Sequence, residues 1–174
     1  MSKHPDQIKM LEISELCKFK QNNPIGNYLG VMGEFSEFVQ SIMDVNRAEF
    51  EDALTDIYVF LLNLFNDLDL CIPDTQSTES TNTESELDNT IEKNISSFII
   101  HAGNLGSLLG KQTGYIKTKP SDQERNFLKE IEDCLSVIHH SLVSLSAICG
   151  VNLSSMLDKV IKILKERHVI TIQN

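Results

Sequence analysis

The 174-residue chain contains no tryptophan, only four prolines and eight glycines, and aromatic side chains make up just 6% of it. So few helix breakers leave long stretches free to coil, and the clearest apolar segment lacks the alternation that marks a half-buried strand. Long hydrophobic runs are also missing. The best candidate, 57–70, is interrupted by Asn63, Asn66, Asp67 and Asp69, whereas a membrane-spanning helix needs about 20 largely apolar residues. No membrane span is expected, and no charged-then-apolar signal peptide opens the sequence, which points to a cytoplasmic protein. Cys17, Cys71, Cys134 and Cys149 fall in no CxxC or Cys/His spacing, so reduced thiols are expected rather than a zinc site or a disulfide framework.

Positive charge is in short supply: 15 Lys and Arg face 25 Asp and Glu, for a net charge of −10. Polymeric DNA or RNA is held mainly through Lys and Arg, so a nucleic-acid surface is not expected. Neither GxGxxG, GxxxxGK[ST] nor GxSxG occurs, which removes the glycine-loop nucleotide folds and the nucleophile-elbow hydrolases.

What the sequence does hold is helical periodicity over a chain whose hydrophobic fraction of 41% suits one compact domain. Pro5, Pro24, Pro73 and Pro120 sit where the apolar pattern breaks and cut it into blocks. The first, 6–20, spaces Ile8, Leu11, Leu16 and Phe19; the second, 25–44, runs through Leu29, Met32, Phe35, Val39 and Ile42. The third carries Leu54, Ile57, Leu61, Leu64 and Leu68 at steps of three and four, the signature of a helix face packed on other helices. Residues 71–89, rich in Ser, Thr, Glu and Asn, are expected to form a flexible linker. Three further blocks follow at 90–109, 121–149 and 153–167, the last with Asn152 as N-cap and Lys162, Lys165 and Arg167 toward its end.

An internal repeat organises these blocks. EDALTDIYVFLLNLFNDLDL (51–70) lies over EDCLSVIHHSLVSLSAICGV (132–151) without a gap, matching Leu54, Ile57, Leu61 and Leu64 to Leu135, Ile138, Leu142 and Leu145. VMGEFSEF around Gly33 lies over HAGNLGSL around Gly103, on glycine and apolar positions alone. The expected fold is an all-α helical bundle in which two tandem units, 25–70 and 90–168, build a four-helix core.

Glu34 and Glu37 are three apart on one helix face, and Asp52 and Asp56 are four apart on the next helix. If those helices pack, four carboxylates converge, and hard oxygen ligands suit Mg²⁺, which commonly bridges protein carboxylates to substrate phosphates. A solvated acidic face is the plainer alternative. Against it, the acids interleave with core-type residues, and the second unit has Asn104, Ser107 and Val137 in place of Glu34, Glu37 and Asp56, so the fold does not require them. His139 and His140 point to different helix faces, and His101 is isolated, so structural roles are expected for them. Tyr58 and Phe60 flank Asp56 and are read first as packing residues, with base stacking as the alternative.

GEFSE (33–37) followed by DALTDIYVFLLNLFNDLDL (52–70) resembles the all-α NTP pyrophosphatase superfamily, the MazG-like proteins and their dimeric dUTPase and phage dCTP pyrophosphatase relatives. GVNLSSMLDKVIKILKERH (150–168) is similar to that family's closing helix. The resemblance implies Mg²⁺, or Mn²⁺ in its place, on Glu34, Glu37 and Asp56. It also implies hydrolysis of a nucleoside triphosphate to a monophosphate and pyrophosphate, with Lys162, Lys165 and Arg167 as phosphate contacts and scope for homo-oligomerisation. Ala53 stands where the family places its fourth acidic ligand, with Asp52 one position earlier as the substitute. A catalytically inactive nucleotide-binding or protein-interaction module is therefore the alternative.

Overall fold

A computed structural model describes residues 2–17, 22–73, 84–119, 122 and 125–172. The protein is an all-α helical bundle: among the described residues there are six helices and no strand. They are α1 (Pro5–Leu16), α2 (Pro24–Met43), α3 (Arg47–Asp67), α4 (Glu84–Gln112), α5 (Phe127–Ile148) and α6 (Leu153–Ile172). No single helix among the described residues is long and apolar enough to cross a membrane.

The chain divides into two compact units, Met1–Ile72 with Gly150–Asn174, and Pro73–Cys149. The first holds α1, α2, α3 and α6; the second holds α4 and α5. The last helix, expected with the second repeat, packs instead on α1 and α3 of the first unit. Its entry is as expected: Asn152 Oδ1 accepts the Ser155 N–H at 2.9 Å. Pro5 and Pro24 occupy the first turns of α1 and α2, where a missing N–H costs nothing. Residues 74–83 of the expected linker, with Phe19 and Pro120, lie outside the described residues, while the remainder, from Glu84 onward, belongs to α4.

In the first unit α3 is the central element, and its stripe behaves as the periodicity predicts as far as Leu64, whereas Leu68 is the C-cap and only half-buried. Leu54, Ile57, Leu61 and Leu64 are fully buried, each contributing about 1.5–3 kcal/mol through loss of apolar surface from water. Helices α1 and α2 are rotated relative to expectation. The buried face of α2 is Val31, Phe35 and Phe38, while Leu29 is 61% exposed and Ile42 is exposed as well. Helix α1 buries Met10 and Ile13 together with Asp6, Gln7 and Ser14, and leaves Ile8 and Leu16 outside. The polar members of that face explain the misreading: they dilute the apolar pattern, yet each has a partner. Gln7 donates to the Leu70 carbonyl at 2.9 Å and accepts from the Ile72 N–H at 3.0 Å, and Ser14 donates to Asn63.

Asp6 is the hub of this unit. Only 2% exposed, it accepts hydrogen bonds from Tyr58 of α3 (3.0 Å) and Ser154 of α6 (2.6 Å), and pairs with Lys9 at 3.2 Å. Burial pushes its carboxyl up, but the Ser154, Tyr58 and Lys9 interactions outweigh this and hold it below the ordinary value of 3.8. One carboxylate thus ties three helices together.

In the second unit Leu135, Ile138, Leu142 and Leu145 of α5 are buried like their counterparts on α3, and α4 faces them with Phe98, Ala102, Leu105 and Leu109. The loop before α5 is fastened by Asp122, a buried carboxylate that accepts from Lys111 and Arg125 and from the Lys119 backbone.

Candidate metal and substrate site

Only Asp44, Val45 and Asn46 separate α2 from α3, so the two helices run antiparallel. Their register is set where Gly30 meets Phe60: a Cβ on residue 30 would stand 2.5 Å from Phe60 Cδ1, so only glycine admits the ring this close to the α2 backbone. One turn further along α2 and one turn back along α3 brings Glu34 opposite Asp56. Glu37 and Asp52 lie near enough for their charges to act on both Glu34 and Asp56. All four acids therefore lie on the same flank of one helix pair.

Glu34 and Asp56 are half-buried, Glu37 and Asp52 exposed. Burial, followed by the charges of Asp56, Glu37 and Asp52, raises the Glu34 carboxyl above its ordinary 4.5. Burial, then Asp52 and Glu37, raises Asp56 above 3.8. The causes are those expected of like charges gathered in a partly desolvated place. Among the described residues none of the four carboxylates forms an ion pair or a side-chain hydrogen bond, in contrast to Asp6, Asp67 and Asp122.

The four acids are close enough to disturb one another's titration. They do not form a ready chelate: among the described residues no three His, Cys, Asp or Glu side chains are placed to hold one metal ion. The donor chemistry fits a hard divalent cation, because every group is a carboxylate oxygen. Ala53, beside Asp52, is 3% exposed and belongs to the buried core.

Lys162, Lys165 and Arg167 are exposed along α6 and lie before its last turn, since the helix runs on to Ile172. Lys165 lines a groove between α6 and α1 beside Lys9, Glu12 and Asp158. The charges acting on Glu34 and Asp56 are carboxylates, so the basic residues of α6 are no part of this cluster. Tyr58 is buried on Asp6 and Phe60 lies on Gly30, the packing roles expected for both; His139 is buried within α5.

The second helix pair has a cavity of about 470 Å³ between α4 and α5. Its wall includes Asn104, Ser107 and Val137, the counterparts of Glu34, Glu37 and Asp56, as well as Cys134 and Asp133, the counterparts of Ala53 and Asp52. Two features escaped sequence reasoning: the Asp6 hub, signalled only by an acid in the first turn of a helix, and the Gly30–Phe60 contact, whose partners lie 30 residues apart with no local signal. No protein-family model, no curated protein and no solved structure matches the chain.

Proposed function

We propose that the first unit is a Mg²⁺-dependent nucleoside triphosphate pyrophosphohydrolase whose site is the Glu34, Glu37, Asp52 and Asp56 cluster. The observation that carries this reading is the electrostatic state of Glu34 and Asp56: two half-buried carboxylates facing each other across a helix pair, destabilised by neighbouring acids, with no protein cation to relieve them. The resemblance of GEFSE and DALTD to the MazG-like motifs supports the same assignment.

Glu34 and Asp56, with Glu37 and Asp52 at the exposed edge, would hold Mg²⁺ or Mn²⁺. When bound, such an ion supplies neutralisation of phosphate charge and a lowered pKa for the attacking water. Because the carboxylates form no three-ligand cage, the ion is expected to arrive with the triphosphate. The chain's own contribution is to hold and move a proton. Glu34, raised above 4.5 by burial and by Asp56, is suited to accept the proton of the attacking water as the bond between the α and β phosphates breaks. The products are a nucleoside monophosphate and pyrophosphate.

A second reading is favoured by Ala53, whose buried methyl leaves the cluster one acid short: a catalytically inactive module that binds nucleotide or protein through the same surface. Pyrophosphate release from a panel of NTPs and dNTPs with Mg²⁺ or Mn²⁺ separates the two. Activity in the wild type that is lost in Glu34→Gln supports the enzyme. Activity only in Ala53→Glu supports the inactive module, and none in any variant removes the enzyme reading.

A further inference from the structure

We propose that the α4–α5 cavity is a second ligand site, built for an uncharged heterocycle of nucleobase or nucleoside size. The inference stands on the second unit alone and does not depend on hydrolysis at the first. At about 470 Å³ the space is in the range of small-molecule pockets. Its charges are already satisfied inside the protein: Lys111 pairs with Asp122 at 3.1 Å, Arg125 with Asp122 and Glu130, and Asp133 with Lys129 at 3.1 Å. A phosphate entering here would meet the Glu130 and Asp133 carboxylates, and its attraction to Lys111 and Arg125 would have to displace Asp122, which both already hold.

Neutral hydrogen-bonding groups are what the wall leaves open. Asn104 and Ser107 form no side-chain hydrogen bond among the described residues. His101 Nδ1 lies 2.8 Å from the Ser97 carbonyl, which can only accept, so Nδ1 carries a proton and, in the neutral ring, Nε2 presents a lone pair. Cys134 is a buried thiol kept protonated by burial and by Asp133 and Glu130. Leu108 and Val137 supply the apolar surface. An amide beside a hydroxyl and a ring acceptor, over an apolar floor, matches a planar ring that carries donors and acceptors side by side; the carboxamide of Asn104 can pair with two adjacent edge atoms at once. Where the first helix pair offers carboxylates, the second offers an amide, a hydroxyl and an isopropyl group.

The test is a ligand-observed NMR titration of the full chain with free nucleobases, nucleosides and the matching 5′-monophosphates. At least one uncharged compound is expected to bind saturably, and its monophosphate to bind more weakly. Asn104→Leu and Ser107→Leu, both at exposed positions, should weaken binding by about tenfold or more, while Glu34→Gln leaves it unchanged. Thermal melts confirm that each variant is folded. The proposal is overturned if no base or nucleoside binds saturably, if the monophosphate binds more tightly than its nucleoside in this cavity, or if Glu34→Gln abolishes binding while the cavity variants keep it.

Discussion

Glu34 stands opposite Asp56 on the α2–α3 pair, and at the counterpart positions of the α4–α5 pair Asn104 and Val137 share one cavity wall. Along α3 and α5 the same sequence of Leu, Ile, Leu and Leu is buried, at Leu54, Ile57, Leu61 and Leu64 and at Leu135, Ile138, Leu142 and Leu145. On one flank, charge is gathered and left uncompensated; on the other, every charge is tied to an opposite one and the open groups are neutral. The apolar stripe therefore answers for folding, and the flank beside it is free to differ. The sharpest way to break this comparison is to attack the shared part. Leu54→Ala and Leu135→Ala each remove a fully buried side chain at matched positions, and each should cost about 2–5 kcal/mol. Urea unfolding measures both, and a cost below about 1 kcal/mol at either position would show that the two stripes are not equivalent.

The first unit has a second anchor, the buried Asp6 carboxylate. Asp6→Ala leaves the Tyr58 hydroxyl and Ser154 without their shared acceptor, an expected loss of about 2–3 kcal/mol. Its pH dependence has a defined sign. The folded carboxyl lies below its ordinary 3.8, so its stabilisation is present above that value and fades as the pH falls through the lower folded one. Asp6→Asn should flatten the acid limb of the stability curve. Asp122 behaves alike in the second unit: hydrogen bonds from Lys119, Lys111 and Arg125 bring it to about 2, so its contribution also disappears between 3.8 and that value.

These two carboxylates mark the limit of what periodicity can reveal. The face of α3 was legible because its Leu and Ile positions repeat without interruption and are packed against α1, α2 and α6. The face of α2 was not, because apolar residues surround much of that helix and only packing on α3 selects Val31, Phe35 and Phe38 over Leu29 and Ile42. On α1, Asp6, Gln7 and Ser14 hid the buried side by being polar. The candidate site was legible as residue types and spacing, Glu34/Glu37 and Asp52/Asp56, but its register depends on Gly30 receiving Phe60, a contact made only in three dimensions.

The turns sharpen the comparison further. Val45, 89% exposed between α2 and α3, has φ 53°, a left-handed conformation that a β-branched side chain adopts at a cost; after α4 the left-handed position, φ 80°, is Gly114. Gly114→Ala should destabilise by about 1–2 kcal/mol. Val45→Asn should stabilise by about 0.5–1 kcal/mol, since Asn tolerates this region. Chemical denaturation reads both, and a neutral Val45→Asn would show that the turn stores no strain.

The smallest expected effect bears most directly on the site. Glu34 and Asp56 have folded pKa values above their ordinary ones, so the folded state holds their protons more tightly than the unfolded chain does. Such groups favour folding at low pH and oppose it as the pH rises through the folded values. Glu34→Gln removes one charge from the cluster and should therefore raise the melting temperature at pH 7. The gain corresponds to only a few tenths of a kcal/mol, because solvent screens a half-exposed group. It should shrink toward zero as the pH is lowered below 4.5. Asn104→Glu in the second unit, set among Glu130 and Asp133, should do the opposite at pH 7. On the proposed function, adding Mg²⁺ with a nucleoside triphosphate should reverse the order in the first unit, the wild type gaining stability by ligand linkage and Glu34→Gln gaining less. If Glu34→Gln lowers the melting temperature at pH 7 without ligand, the carboxylate has a stabilising partner and the cluster is not the uncompensated charge on which the catalytic reading rests.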